Sequence, residues 1–299
     1  MPELPDITLY VEALRARVAG AALEGIRLKS PFLVRTVTPP ITDAPEHSVR
    51  TVSRLVKRIV FELEGERFLV LHLMIAGRLH WKPVGAKAPG RAGLAAFDFG
   101  TGTLTLTEAG TKRRASLHYV VGRDELRQFD RGGLEPLTAT ASQILERLRS
   151  ENHTLKRALT DPRMLSGVGN AYSDEVLHRA RLSPLRLTSK LSDEEGGRLG
   201  RALVSVLTEW TDRLREETGD AFPERVTAFR PDMAVHGRFR LPCPVCGTPV
   251  QRIRYAENET NYCPTCQTDG RLLADRAMSR LLKEDWPKSL DEMEERLGR

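Results

Sequence analysis

No apolar run in this chain approaches the roughly 20 residues that a membrane-spanning helix needs. The first twenty residues carry Glu3, Asp6, Glu12, Arg15 and Arg17, where a secretory signal would hold an unbroken apolar stretch. Internal repeats and low-complexity tracts are also missing, which argues against a solenoid or a disordered chain. Cysteine occurs only four times in 299 residues, too sparsely for a scaffold stapled by disulfides throughout. These absences leave a cytoplasmic protein with no membrane partner as the expectation. What is present suits one: 40% apolar and 29% charged residues, in a length sufficient for two domains with separate cores. The net charge of +6 and a pI near 9.3 fit a polyanionic partner, and fit many soluble enzymes as well.

Periodicity divides the chain. From Asp6 to Gly20, Ile7, Val11, Leu14 and Val18 recur at helical spacing, with Pro5 suited to the helix start and Gly20 to its end. Residues 58–63 and 68–73 flank a Glu64-Gly65 turn and read as a hairpin; residues 95–99 and 103–107 flank Gly100-Thr101-Gly102 in the same way, and 117–121 adds a strand. An antiparallel sandwich or barrel with one leading helix is predicted. A Gly/Pro stretch at 131–136 marks a boundary, and beyond it the patterns are helical. Ser192-Asp193-Glu194-Glu195 has the form of a capping box, and Leu199, Leu203, Val206, Leu207, Trp210 and Leu214 form an apolar face ending near Gly219. Residues 271–297 read as two short helices broken at Trp286-Pro287.

Three motifs carry chemistry. Removal of Met1 would leave Pro2 as a free secondary amine beside Glu3, just ahead of a helix start. An α-amino group titrates at about 7.7–8.0, so part of it is unprotonated at neutral pH. A secondary amine that attacks a sugar C1′ forms an iminium that cannot lose its charge by deprotonation, and so remains an electron sink. The ordinary alternative is a Met-Pro start that simply enters a helix. Second, Cys243, Cys246, Cys263 and Cys266 form C-x2-C…C-x2-C, the spacing of a closed structural zinc site; paired disulfides are the alternative. Between Arg238 and Arg254 lie four arginines and no acid, so the same segment presents either a solvated basic face or a ribbon that follows phosphates. Third, Leu165-Ser166-Gly167-Val168-Gly169-Asn170-Ala171-Tyr172 joins two helical patterns through a turn whose backbone N–H groups and Asn170 amide suit a phosphate. Lys156, Arg157, Arg163, Arg179, Arg181 and Arg186 surround it. Asp174 and Glu175 read as residues that begin or cap the second helix.

Taken together and in this order, the motifs resemble the formamidopyrimidine-DNA glycosylase / endonuclease VIII family over about the first 270 residues. The resemblance implies a multi-domain α+β fold: a catalytic N-terminal β-sandwich with a leading helix (1–130), a helix-two-turn-helix domain (131–236) and a four-cysteine zinc finger (237–270). A helical extension (271–299) lies beyond the usual end of the family. It implies a bifunctional DNA glycosylase and abasic-site lyase of base-excision repair that nicks by β-elimination. One structural zinc, no organic cofactor, damaged double-stranded DNA as partner, a monomer, and a bacterial-type, nucleoid-associated location are implied with it. Residue by residue, Pro2 matches the Schiff-base nucleophile, Glu3 the acid that assists ring opening, and Lys57 the lysine that contacts phosphate near the lesion. Met74 matches the side chain that fills the space left by the extruded base, although periodicity alone makes it core. Asn170 matches the phosphate-binding asparagine, and Gly167 and Gly169 its turn. Extrusion is required because a base inside the stack is out of reach.

The chain departs from the pattern at four places. Lys112-Arg113-Arg114-Ala115 stands where the family has Arg-Arg-Phe-Gly, so Arg113 matches the arginine facing the orphaned base while Arg114 replaces an aromatic wedge. Ala256-Glu257-Asn258-Glu259-Thr260 stands where a finger-tip arginine grips phosphate, which weakens the case for a second, δ-elimination; Glu257 and Glu259 are expected to repel phosphate there. Asp6 replaces a glutamate, and the 271–299 tail is extra. A lesion- or abasic-site-binding protein with little turnover on the same scaffold is therefore the alternative, with a non-enzymatic zinc-ribbon regulator behind it.

Overall fold

The computed structural model describes all residues except 89, 111, 225, 228, 256–257, 275–286 and 298–299. Two compact units emerge: residues 1–132 together with 209–228, and residues 133–208 together with 229–299.

In the first unit, helix α1 (Leu4–Val18) starts two residues before the periodicity suggests, because Glu3 is its cap and Pro5 sits in its first turn. The backbone N–H of Glu3 donates to Asp6 Oδ2 at 2.9 Å, half of a reciprocal capping box. The shorter acid at position 6 thus has a structural task. Eight strands follow: β1 (Leu23–Leu28), β2 (Val49–Leu55), β3 (Arg58–Leu63), β4 (Arg67–His72), β5 (Gly77–Lys82), β6 (Gly93–Phe99), β7 (Gly102–Glu108) and β8 (Ser116–Val121). They form two antiparallel four-stranded sheets, ordered β1-β6-β7-β5 and β2-β3-β4-β8, so the sandwich holds and a barrel does not. Alternation decides the inner face: Ile59, Phe61 and Leu63 of β3 join Leu69, Leu71, Phe97, Leu104 and Leu117 in one buried cluster, which Ile7, Val11, Leu14 and Val18 of α1 complete. Each such side chain contributes about 1.5–3 kcal/mol on burial. Val60, Phe68, Val70 and Val120 point the other way and are covered by Phe129, which follows the short helix α2 (Arg123–Arg127). Phe222 and Val226 belong to the inner cluster too, with the Phe222 ring 5.8 Å from that of Tyr10.

The second unit is helical and carries the finger. Helices α3 (Ala141–Arg149), α4 (Leu155–Thr160) and α5 (Asn170–Arg179) precede α6 (Asp193–Thr218), whose last ten residues belong to the first unit. The Ser192–Glu195 box caps α6 as expected: Ser192 N–H donates to Glu195 Oε2 at 2.9 Å and Glu195 N–H to Ser192 Oγ at 3.1 Å. The finger comprises hairpin β9 (Gln251–Tyr255) and β10 (Asn258–Tyr262) and helix α7 (Pro264–Thr268). Of the two helices expected near the C-terminus, α8 (Leu290–Leu297) forms; the other, and the break at Trp286, fall outside the described residues.

Candidate active site and nucleic-acid interface

One end of the sandwich gathers the residues that the sequence singles out in the first unit. Register places them there. Leu55 pairs with Arg58 across the two-residue turn Val56-Lys57, Arg58 pairs with His72, and His72 with Ser116. In the other sheet Gly77 pairs with Glu108. The Val56-Lys57 turn, the 73–76 loop bearing Met74 and the loop leading to Arg113 and Arg114 therefore leave the sheets side by side. Pro2 and Glu3 are buried at the start of α1, and the α-amine of Met1, one residue before Pro2, lies in the field of Glu3, Arg78, Asp6 and Lys57. Burial pushes that amine below its ordinary value; Arg78 and Lys57 push the same way, against Glu3 and Asp6.

Backbone conformation does much of the presenting. Val56 has φ +58° and Met74 φ +53°, left-handed values that a β-branched or bulky residue rarely takes. The first leads into Lys57, which is buried; the second sets Met74 half-buried at a turn rather than in the core. Gly77 closes that turn by donating to Leu73 O at 2.9 Å, and a Cβ there would lie 2.3 Å from the same oxygen. Buried Glu108 anchors the arginine loop, accepting N–H bonds from Arg114 and Ala115 at 3.0 Å. Arg113 and Arg114 themselves are exposed. His72, a residue that spacing did not single out, stands half-buried beside Lys57 and Arg58. Burial and then these cations push it down to about 4.

In the second unit, Gly167 takes φ +81°, and Gly169 caps α5 so that Asn170 begins it. Asn170 Nδ2 donates to Glu259 O on β10 at 2.9 Å, while its own carbonyl accepts from Lys156 Nζ at 2.7 Å. Asp174 and Glu175 do not cap this helix. Both are buried, and they reach away from it: Asp174 accepts from Lys156 Nζ, from Asn261 N at 3.1 Å and pairs with His236 Nδ1 at 2.8 Å. Glu175 accepts the backbone N–H groups of Ala234, Val235 and His236 at 2.7–2.9 Å. Their residue type signals polarity, but only the fold shows the polar backbone they satisfy. At the finger tip, Glu257 lies outside the described residues, and the Glu259 carboxylate is met by Arg252 at 3.2 Å and Asn261 at 3.1 Å, so its charge is compensated rather than aimed outward.

The four cysteine sulfurs lie within 4.8 Å of one another. Cys243 and Cys266 are 4.0 Å apart and Cys246 and Cys263 3.4 Å. A tetrahedron with bonds of about 2.3 Å to sulfur has edges of about 3.8 Å, and a disulfide would need about 2 Å, so the donor set fits one closed zinc and not two bridges.

Comparison with known proteins places this geometry. The formamidopyrimidine-DNA glycosylase N-terminal domain family matches residues 1–117, the H2TH domain of that glycosylase residues 133–217, and the zinc finger found in FPG and IleRS residues 240–268. The formamidopyrimidine-DNA glycosylase of Thermus thermophilus is 34% identical over 90% of this chain and 100% of its own length. The chain belongs to the formamidopyrimidine-DNA glycosylase family. An uncharacterized formamidopyrimidine-DNA glycosylase-like protein of Mycobacterium tuberculosis is 40% identical over 50% of this chain and 94% of its own. The Lactococcus lactis Fpg, solved in complex with DNA containing an abasic site, shares the fold at a TM-score of 0.79 and 23% identity, covering 89% of this chain and 99% of its own. Asn258 is exposed at the start of β10.

Proposed function

We propose that the chain, once Met1 is removed, acts as a bifunctional glycosylase and abasic-site lyase on damaged double-stranded DNA. The observation that carries this reading is that Pro2 and Glu3 are buried together at the start of α1 with buried Lys57 close enough for both Glu3 and Lys57 to act on the Met1 amine, one residue before Pro2. The Pro2 nitrogen attacks C1′ as the N-glycosidic bond breaks, and Glu3 donates a proton to the ring oxygen O4′, opening the sugar to an iminium. The C2′–H bond then breaks, its proton passing to water and its electron pair into the iminium; that pair expels the 3′ phosphate as the C3′–O bond breaks, and water adds at C1′ to release Pro2. Lys57 holds the phosphate beside the lesion, Met74 occupies the vacated stack, Arg113 faces the unpaired partner base, and Arg114 stands in the place of an aromatic wedge. Gly167, Gly169 and Asn170 bind the backbone phosphate. Cys243, Cys246, Cys263 and Cys266 hold one zinc, which has a structural role and no open position for substrate. The domain division (1–130, 131–236, 237–270, 271–299) and a monomeric state belong to the same reading. The nick is assigned to β-elimination, since Asn258 brings no cation to the tip for a second elimination.

Among the described residues no helix is long and apolar enough to cross a membrane. The Lactococcus lactis complex with abasic-site DNA supports DNA as the partner. Borohydride should trap a covalent adduct with abasic-site DNA; Pro2→Gly should weaken trapping, and acetylated Pro2 should abolish it. The replaced wedge at Arg114 favours one rival, a binder with little turnover. Tight binding of the same DNA without any trapped species, across several lesions, would decide for that rival.

A further inference from the structure

Of the polar side chains on helix α5, those at positions 170, 174, 175 and 178 each meet a different part of the finger or of the segment entering it. Asn170 holds β10 through Glu259 O, Asp174 holds it through Asn261 N, and Glu175 binds the backbone of 234–236. Asn261 extends the seam, its Oδ1 accepting from Gly237 N at 3.0 Å. At the far end His178 Nε2 lies 3.2 Å from Cys243 Sγ, and His178 is buried. A metal-bound thiolate can only accept, so the ring presents an N–H to it, the kind of outer contact that orients a metal ligand. Spacings of four, one and three residues keep all four on one side of the helix. The helix that begins at the glycine–asparagine turn therefore ends against a zinc ligand, about 12 Å away at 1.5 Å per residue.

We propose that α5 couples the zinc centre to Asn170 through this polar seam, with Asp174 and His178 as positioning residues, so that zinc occupancy sets the geometry of the glycine–asparagine turn. The consequence for phosphate binding rests on the role given to Asn170 above; the coupling itself does not. Buried carboxylates are suited to such a task, because an unmet N–H or carboxylate oxygen at this depth is costly and the seam has few alternative arrangements.

Hydrogen exchange on the full-length, zinc-loaded protein tests the coupling without reference to activity. Chelation of zinc should raise exchange at residues 258–262 and also at 166–171, by about tenfold or more if the two open together. His178→Ala should speed zinc release to a chromophoric chelator by about 10–100-fold, and His178→Gln, which keeps an N–H donor, should recover most of the wild-type rate. Asp174→Asn should leave zinc release unchanged while raising exchange in both segments; His236→Phe, which removes one Asp174 partner, replaces it if that variant fails to fold. On abasic-site DNA the Asp174→Asn protein should bind more weakly yet be trapped at the wild-type rate when DNA saturates. Proven zinc loss with unchanged exchange at 166–171 would overturn the coupling, as would wild-type exchange in both segments of Asp174→Asn. Absence of trapping in every form would instead overturn the assigned chemistry.

Discussion

The end of the sandwich that holds Glu3, Lys57 and Met74 and the seam of α5 solve the same problem by opposite means. At the sandwich end, backbone does the positioning: left-handed Val56 and Met74 sit at or beside the presenting residues, and such conformations cost about 1–3 kcal/mol each unless their surroundings impose them. Along α5, side chains do it, with two buried carboxylates collecting N–H groups from several segments. The first arrangement gathers an acid and a cation around the chain start. The second turns its polar groups on one another and yields stiffness. The end proposed to react is held by left-handed backbone and a glycine turn, and the seam is held from within by hydrogen bonds.

The comparison breaks most sharply at Glu3. Glu3→Gln keeps a capping oxygen for α1 but removes the proton, so folding should be unchanged while single-turnover nicking falls by about 10²–10⁴-fold. A comparable loss of melting temperature would mean that Glu3 serves the helix and not the chemistry. Next in size is the finger. Replacing Cys246 by alanine removes one of four zinc ligands, and because zinc binding and folding of such a site are one process, the finger should unfold and DNA affinity fall by about tenfold or more, about 1.4 kcal/mol. Circular dichroism should show α1 and the sandwich intact. Gly77→Ala is smaller. Its Cβ would stand 2.3 Å from Leu73 O, so the Met74 turn must shift, at about 1–3 kcal/mol in urea unfolding. Because the displaced turn carries Met74, weaker binding to lesion DNA should accompany the loss; stability lost with binding intact would detach Met74 from recognition.

The two regions also differ in how far the sequence reveals them. The zinc site is legible from spacing alone, since four cysteines in two close pairs leave few geometries, and the sulfur separations agree with it. Helix α1, the capping box of α6 and the strands around Glu64-Gly65 are legible because periodicity and turn residues act locally. Strand β1 is not, because Leu23-Glu24-Gly25-Ile26-Arg27-Leu28 contains a glycine, and its register shifts between Leu23 and Gly25. Met74 misleads in isolation: an apolar residue after β4 reads as core, and only its left-handed φ and the Gly77 closure turn it outward. Asp174 and Glu175 mislead in the opposite way, since acids near a helix start read as caps while most of their partners lie 59–87 residues away. His72 gives no signal at all, as its neighbours Lys57 and His118 arrive from elsewhere in the chain.

That histidine offers the smallest and most selective test of the sandwich end. Burial, Arg58 and Lys57 hold it at about 4 in the folded protein, against about 6.5 in an unfolded chain. The folded state therefore binds fewer protons than the unfolded one between these values. The stability that follows is present in full above about pH 6.5 and is lost as pH falls toward about 4, with a slope of at most about 1.4 kcal/mol per pH unit for one group. His72→Asn should remove only the His72 share of the slope over that window, leaving that of His178, which burial also pushes down to about 4, and should leave the curve unchanged above about pH 7. Added salt sharpens the point, because it screens Arg58 and Lys57 but not burial, and burial is the largest cause. A difference in slope between wild type and variant that persists in about 0.5 M salt would show that packing at this end and not its charge keeps the ring neutral. A slope unchanged in His72→Asn would place the proton uptake elsewhere.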